Sequence, residues 1–328
     1  MVNIGIVGAG GIARTHVEAL KAIPKARIVA VVDVVEERAQ AMAASCGAIA
    51  CPRLQDCLDK VDMVHVLTPP STHRDIAVEA MAAGKHVVCE KPIAASIADG
   101  RAMVDAAHTY GVKLMVAFNM RFRKGFAMLR EVVRDGSLGE VVSFWSQRLG
   151  AGVGQGYNWR TDPELLCGMS VESLSHDIDL LRWIVGEVVD VRASVLESRP
   201  DLPGFDDNAS VALTLANGGI ALIHASWSSR LARNSRGVVG TKGTALVEGG
   251  GLWELREFCI KTDNMPYETS TIINDAFDVK SYVAENEHFV KCVEQGREPS
   301  VSGEDGLRAL RISHAILASS RRDCAVTV

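Results

Sequence analysis

Several short stretches of this chain carry residues whose types and spacing suit chemistry rather than packing. Gly8-Ala9-Gly10-Gly11-Ile12-Ala13 fits the pattern G-x-G-x-x-A and lies between an apolar run and the first amphipathic stretch. In that pattern Gly8 permits a tight turn, Gly10 lets the backbone approach a pyrophosphate, and the small Ala13 lets a helix pack close to a sheet. The phosphates would sit on the free N–H groups of the helix N-terminus, where the helix dipole favours negative charge. Glycine-rich turns are common, so the context matters. Asp33 ends the second apolar run, twenty residues after Ala13, where an acid hydrogen-bonds the adenosine ribose hydroxyls. A carboxylate there would repel a 2′-phosphate, so NAD is expected over NADP. The other reading of Asp33 is a cap for a helix beginning near Val35. Arg38 reads as a solvated side chain, too far into that helix to argue for NADP.

Two further stretches can move protons. Residues 171–185 read as one helix, with Glu172, His176 and Asp179 at i, i+4 and i+7 on one face. Leu174, Ile178, Leu181 and Val185 form a separate apolar face. A histidine flanked by acids can take up a hydroxyl proton near neutral pH; the alternative is a buried structural histidine. Glu90-Lys91-Pro92 follows another apolar run. An ammonium at such a strand end can hydrogen-bond a substrate oxygen and stabilise developing alkoxide charge, or it can sit at a turn with its charge in water.

The elements that must position these groups follow from periodicity. Short, nearly continuous apolar runs at 3–7, 28–32, 63–67, 86–89 and 114–117 suit parallel strands buried on both faces. Amphipathic segments at 11–21, 36–45, 71–83 and 96–110 alternate with them, and Ser71 and Ser96 suit N-caps. This is the pattern of an α/β Rossmann domain with a doubly wound parallel sheet, expected over residues 1–120. After about Arg121 the pattern changes. A helix at 122–134 precedes β-rich runs at 140–148, 188–197, 209–215, 220–226, 236–239 and 244–247, and helices at 282–295 and 304–320 close the chain. Asn217-Gly218-Gly219 reads as a tight hairpin turn, and Gly240-Thr241-Lys242-Gly243 as another. Residues 121–328 are therefore expected to form an α+β domain with a large, mainly antiparallel open sheet.

With 328 residues, 48% hydrophobic and 23% charged, the chain can bury two cores. Its net charge of −5 and its lack of a Lys/Arg-rich block argue against a nucleic-acid partner and favour a small molecule. The eight cysteines, at 46, 51, 57, 89, 167, 259, 292 and 324, form no C-x-x-C pair. No metal site is expected, and free thiols in a reducing cytoplasm are the better reading. The N-terminal apolar run lacks a basic leader and is broken by glycine, so it reads as a strand rather than a signal peptide. No run approaches the roughly 18 apolar residues of a membrane span, and a cytoplasmic location with no membrane partner is expected.

Thr68-Pro69-Pro70-Ser71-Thr72-His73, Glu90-Lys91-Pro92 and His176-Asp177-Ile178-Asp179, taken with the glycine turn at 8–13, resemble the Gfo/Idh/MocA family of sugar and cyclitol oxidoreductases. The likeness covers nearly the whole chain, and E-K-P at that spacing is its most specific part. The resemblance implies a Lys91 ammonium beside the nicotinamide, a cis Lys91-Pro92 peptide, and Lys91 and His176 as the catalytic proton-handling residues. It makes the acid four residues before His176 its partner. The family most often has Asp there, whereas this chain has Glu172, which leaves that role open; Asp179 then anchors the helix. The implied contacts to NAD are Gly8, Gly10, Gly11, Ile12, Asp33, Thr68, His73, Glu90, Lys91 and Asn119. For Glu90 the alternative is to orient Lys91, and for His73 to cap or pack its helix.

Lys91, His176, Trp159 and Arg160 are the implied contacts to a small polyhydroxylated substrate, the last two being alternatively a core aromatic and a surface ion pair. The implied activity is hydride transfer between a sugar or inositol-like hydroxyl carbon and nicotinamide. An NAD-dependent glycoside hydrolase, with no net NADH, and a non-catalytic NAD sensor are the competing readings. Retention of Lys91 and His176 argues against the sensor. One face of the second sheet is expected to pair with another subunit, giving a homodimer or homotetramer.

Overall fold

β1 (Val2–Val7), α1 (Gly11–Lys21), β2 (Ala26–Val32), α2 (Glu36–Cys46), β3 (Ile49–Cys51), β4 (Met63–Val66), α3 (His73–Ala82), β5 (His86–Cys89), α4 (Ile97–Tyr110) and β6 (Leu114–Val116) alternate through the first part of the chain. The structure is a computed structural model and describes residues 1–152, 159–162, 164–275 and 278–328. The strands form a parallel six-stranded sheet in the order β3-β2-β1-β4-β5-β6. The strand order reverses between β1 and β4, the crevice where doubly wound sheets bind dinucleotides. Ile4, Ile6, Val64, Val66, Val87 and Val116 have no accessible surface, as strands covered on both faces require. Ser96 caps α4: its Oγ accepts from the Asp99 amide at 3.1 Å and donates back to the Asp99 carboxylate at 2.6 Å. Ser71 caps nothing. It lies in a 3-10 turn, Pro70–Thr72, and α3 begins two residues later with no side-chain cap.

The later part contains α5 (Lys124–Arg134), β7 (Val141–Ala151), α6 (Gly168–Glu172), α7 (Leu174–Val185), β8 (Val188–Leu196), β9 (Asn208–Leu215), β10 (Ile220–Ser226), β11 (Ser228–Gly240), β12 (Gly243–Gly249), β13 (Leu255–Thr262), β14 (Thr269–Asp275), α8 (Lys280–Gln295), α9 (Gly303–Arg322) and β15 (Val326–Thr327). Its nine-stranded sheet runs β14-β13-β12-β11-β7-β10-β9-β8-β15, antiparallel except where β10 lies parallel to β7. The turn at Gly218, where φ is +85°, joins β9 to β10, and 240–243 joins β11 to β12. Burial alternates along β9, and along β10 as far as Ala225, so one face is packed and the other open. α5 lies against β11 to β14, and α7 against β7.

Three expectations need correction. The chain divides into two units, Met1–Asn119 with Asp278–Leu310, and Met120–Phe277 with Arg311–Val328. Residues 278–310 therefore leave the expected second domain for the first unit. The reason is packing: α8 lies on α1 and β1, and Gly306 passes so close to β6 that a Cβ there would stand 2.6 Å from Val116 Cγ2. Second, residues 171–185 are not one helix. α6 ends at Glu172 and α7 starts at Leu174, with Ser173 between them. Third, β3, β13, β14 and β15 had no sequence counterpart. β14 is largely exposed and lacks the apolar alternation that marks a strand. Among the described residues, no helix is long and apolar enough to cross a membrane, and no group of three or more His, Cys, Asp or Glu could hold a metal ion.

The second unit is pinned by a buried ion cluster. Asp177 on α7 accepts from Ser146 and Arg148 of β7 at 2.7 and 2.6 Å, and from Arg236 of β11 at 2.6 Å. Burial pushes the Asp177 carboxyl up, but the two guanidiniums and the Ser146 hydroxyl outweigh it and hold it well below the usual carboxylate range. A folded-state value below the unfolded one, about 3.9, gives stability that is full above that pH and is lost as pH falls towards the folded value. Asp177→Asn is expected to destabilise the protein by about 3–5 kcal/mol at pH 7, because it leaves buried guanidinium charge uncompensated. Urea unfolding from pH 7 to 3 should also show a shallower acid decline in the variant than in the wild type.

Candidate active site and cofactor cradle

In the first unit the glycine turn is fixed by sterics. Gly8 has φ +96°, and a Cβ there would lie 2.6 Å from the Leu67 carbonyl oxygen. Beside Gly10 and Gly11 the space is open, with nothing within 4 Å of a Cβ. Gly10 is the N-cap of α1, and no side chain caps it. Uncapped amides facing open space at the start of a helix fit a pyrophosphate. Behind the turn, Ala13 is fully buried. Asp33 follows β2, and its carboxylate accepts the Ala9 amide at 2.6 Å and the Val35 amide at 2.8 Å. It therefore ties the glycine turn to the β2–α2 loop, and α2 itself has no side-chain cap. Each oxygen keeps a second lone pair for a hydroxyl donor. A groove of about 530 Å³ runs between α1 and α2, lined among others by Ala9, Arg14, Glu18, Lys21 and Arg38. Arg38 borders this groove and is exposed, the solvated side chain expected of it.

The E-K-P turn follows β5, with Lys91 half-buried and the Lys91-Pro92 peptide cis. Glu90 is buried; its Oε2 accepts the Lys91 amide at 3.0 Å, and its Oε1 meets His16 Nε2 at 3.1 Å. Burial pushes the Glu90 carboxyl up, but the His16 hydrogen bond and the adjacent Lys91 outweigh it and hold it below the usual range. Of the two roles weighed for Glu90, orientation of Lys91 is the one its bonds serve. His73 is fully buried and faces three main-chain carbonyls, Thr68 at 2.8 Å, Pro92 at 3.1 Å and Ile93 at 3.3 Å. Burial lowers its ring below the ordinary histidine range. With no accessible surface, it braces the turn from inside instead of presenting itself to a ligand. Thr68 accepts a hydroxyl bond from Thr72 at 2.7 Å. Asn119, also buried, donates to Ser281 of α8 at 3.3 Å.

In the second unit Glu172 ends α6 and takes a forked contact from Arg160, with Nε at 2.8 and 2.9 Å and Nη2 at 2.7 Å. The same guanidinium lies 4.5 Å from the Trp159 ring centroid. Most of the preceding glycine-rich stretch, 150–156, falls outside the described residues. His176, on α7, is buried edge-on to Trp253 with ring centroids 6.0 Å apart. Asp179 is paired with Arg121 at 2.5 and 2.8 Å, the helix anchor expected of it. The one-face argument for Glu172, His176 and Asp179 fails because the helix breaks at Ser173, and each of the two acids has its own arginine.

Sequence reasoning missed His16, Asn286, Trp253 and the Arg148–Asp177–Arg236 cluster. For His16 a signal existed: it falls on the apolar stripe of α1 with Ala13, Val17 and Leu20. The cluster's arginines lie on strands where nothing in the local pattern marks them, and Trp253 sits in the connection between β12 and β13.

A doubly wound sheet with this glycine cradle, joined to an α+β unit, defines a dinucleotide-binding enzyme class. Two family models match the chain: an oxidoreductase family with an NAD-binding Rossmann fold over residues 2–118, and the GFO/IDH/MocA C-terminal domain over residues 126–246. Inositol 2-dehydrogenase of Rhizobium meliloti (strain 1021) is 32% identical over 332 residues, covering 97% of this chain and 96% of that protein. Myo-inositol 2-dehydrogenase of Thermotoga maritima is 31% identical over 337 residues, covering 96% and 95%. The solved structure of aldose-aldose oxidoreductase from Caulobacter crescentus, complexed with glycerol, is 27% identical with a TM-score of 0.89, covering 100% of this chain and 99% of that one. The chain belongs to the Gfo/Idh/MocA oxidoreductase family and is an NAD(P)-dependent dehydrogenase.

Proposed function

We propose that this dehydrogenase acts on a hydroxyl-bearing carbon of a sugar or inositol-like cyclitol, with Lys91 and His176 handling the proton and NAD as cofactor. The observation that carries the reading is the placement of Lys91: a braced turn holds it at the carboxyl end of β5, the edge where doubly wound sheets carry their ligands. The named substrates of the relatives support the substrate class. The Lys91 ammonium donates to the substrate oxygen and stabilises its developing alkoxide charge. The His176 imidazole takes up the hydroxyl proton in oxidation and returns it in reduction. When bound, the nicotinamide ring supplies the hydride acceptor or donor for that carbon. Gly8, Gly10, Gly11 and Ile12 form the turn that carries the pyrophosphate, and Asp33 meets the ribose. Trp159 and Arg160 offer the substrate an aromatic face and a guanidinium. Glu172 holds Arg160 in place.

Incubation with NAD and a panel of polyols, followed by NADH absorbance, tests the reading. Net NADH separates a dehydrogenase from a glycosidase that recycles its cofactor. Lys91→Met is expected to lower turnover by about 10²–10³-fold with the NADH dissociation constant nearly unchanged; wild-type turnover in that variant would refute the assignment. Lys91→Met combined with His176→Asn should cost little more than either change alone if both act in one step.

Asp33 also favours NAD electrostatically, whereas Arg14 and Arg38 in the adjoining groove favour a phosphate. Asp33→Ala is expected to weaken NAD more than NADP in fluorescence titrations, and an unchanged ratio would remove Asp33 from the ribose site.

The open face of the second sheet carries Ile220 and Leu222 of β10, 57% and 54% exposed. A second copy of the chain covers this face in the proposed homodimer or homotetramer. Light scattering should give two or four times 35.2 kDa.

A further inference from the structure

We infer that His16 and Asn286 are positioning residues for Lys91 and act on it through the Glu90 carboxylate. The inference rests on Lys91 being the catalytic ammonium, and it goes further by naming what aims it. Asn286 of α8 donates through Nδ2 to the Tyr282 carbonyl at 2.7 Å, and its side-chain amide meets His16 Nδ1, with Nδ2 at 3.2 Å and Oδ1 at 3.4 Å. An ionised carboxylate can only accept, so the His16 Nε2 that faces Glu90 carries a proton. There it points at Glu90 Oε1, 3.1 Å away. The other carboxylate oxygen receives the Lys91 amide at 3.0 Å. The contacts form one chain, from Asn286 through His16 to Glu90, and the Lys91 amide closes it from the far side. Glu90 cannot turn about its side-chain bonds without breaking one of these contacts, which fixes the main chain from which the Lys91 side chain departs.

Packing leaves the His16 ring no other position. His16 and Asn286 have no accessible surface. The Tyr282 and His65 rings lie edge-on to His16, with centroids at 5.3 and 5.5 Å. His65 is itself fully buried, no hydrogen-bond partner reaches either of its nitrogens among the described residues, and burial, with His16 beside it, lowers its ring well below the ordinary histidine range. It acts as a neutral wall. His16 also belongs to α1, the helix whose first residues form the cofactor cradle. One rigid helix therefore sets both the pyrophosphate turn and, through Glu90, the departure point of Lys91.

His16→Phe keeps the ring and removes the hydrogen bond, whereas His16→Gln retains an amide donor at the position of Nε2. The phenylalanine variant is expected to lose about 10–100-fold in kcat, with the NADH dissociation constant within about threefold, and glutamine should recover most of the loss. Hydrogen exchange at the Lys91 amide should accelerate at least tenfold in His16→Phe, without matching acceleration along β1 or β4. In a Lys91→Met background His16→Phe should cost nothing further, since its effect passes through Lys91. If the unpaired Glu90 carboxylate prevents folding, His16→Phe with Glu90→Gln removes the buried charge together with its partner and carries the same measurements. Unchanged exchange at Lys91, or a loss in kcat that is equal in the Lys91→Met background, overturns the inference. Wild-type turnover of Lys91→Met alone would instead overturn the catalytic role of Lys91, while the exchange measurement would still report on the clamp.

Discussion

A carboxylate taken out of water must be matched by charge or by hydrogen bonds, because its desolvation otherwise costs several kcal/mol. That requirement organises the chemistry-bearing parts of both units. In the first, Glu90 is satisfied by a histidine N–H and a main-chain amide. In the second, Asp177 takes two arginines, while Asp179 and Glu172 take one each. The two solutions have different consequences. Arginine forks fix geometry bidentately and are hard to dislodge, which suits the fastening of a helix to a sheet. A histidine N–H contributes a single directed bond, which suits an acid whose other oxygen holds the Lys91 amide.

The same division between fastening and aiming appears in the backbone. At Gly8 the chain passes so close to the Leu67 carbonyl that no side chain fits, whereas at Gly10 and Gly11 nothing stands in the way of one. The first glycine is there for the fold, since it lets β1 and β4 approach at their carboxyl ends. The other two keep a surface open in front of α1. Asp33 joins these roles: it holds the turn through the Ala9 amide and keeps lone pairs for donors from outside.

Much of this architecture was legible in the sequence because its causes are local. The buried strands of the first sheet are runs with no polar face, and the glycine turn, the Ser96 cap and the Asn217-Gly218-Gly219 hairpin each follow from residues within a few positions. What was not legible depends on partners far away in sequence. The return of 278–310 to the first unit rests on α8 meeting α1 and on Gly306 fitting against Val116, neither of which local periodicity encodes. β13 and β14 form because β12 offers them an edge, and exposed edge strands need little apolar alternation. Arg236 reaches α7 from a strand and Trp253 from the connection between β12 and β13, and neither local pattern says anything of it.

The break at Ser173 alters how His176 should be understood. Counting residues put Glu172, His176 and Asp179 on one stripe, and the acids then looked like proton partners. With α6 and α7 separate, Glu172 takes its orientation from Arg160, outside α7 altogether. On α7 itself, Asp177 is locked to β7 and β11, and Asp179 to Arg121. These two anchors lie one residue after His176 and three residues after it, at different angles around the helix axis. Together they prevent rotation of α7, and Trp253, stacked beneath Arg148 at 4.6 Å, closes one side of the imidazole. The acids near His176 on α7 therefore act as fasteners that fix the direction in which its ring looks.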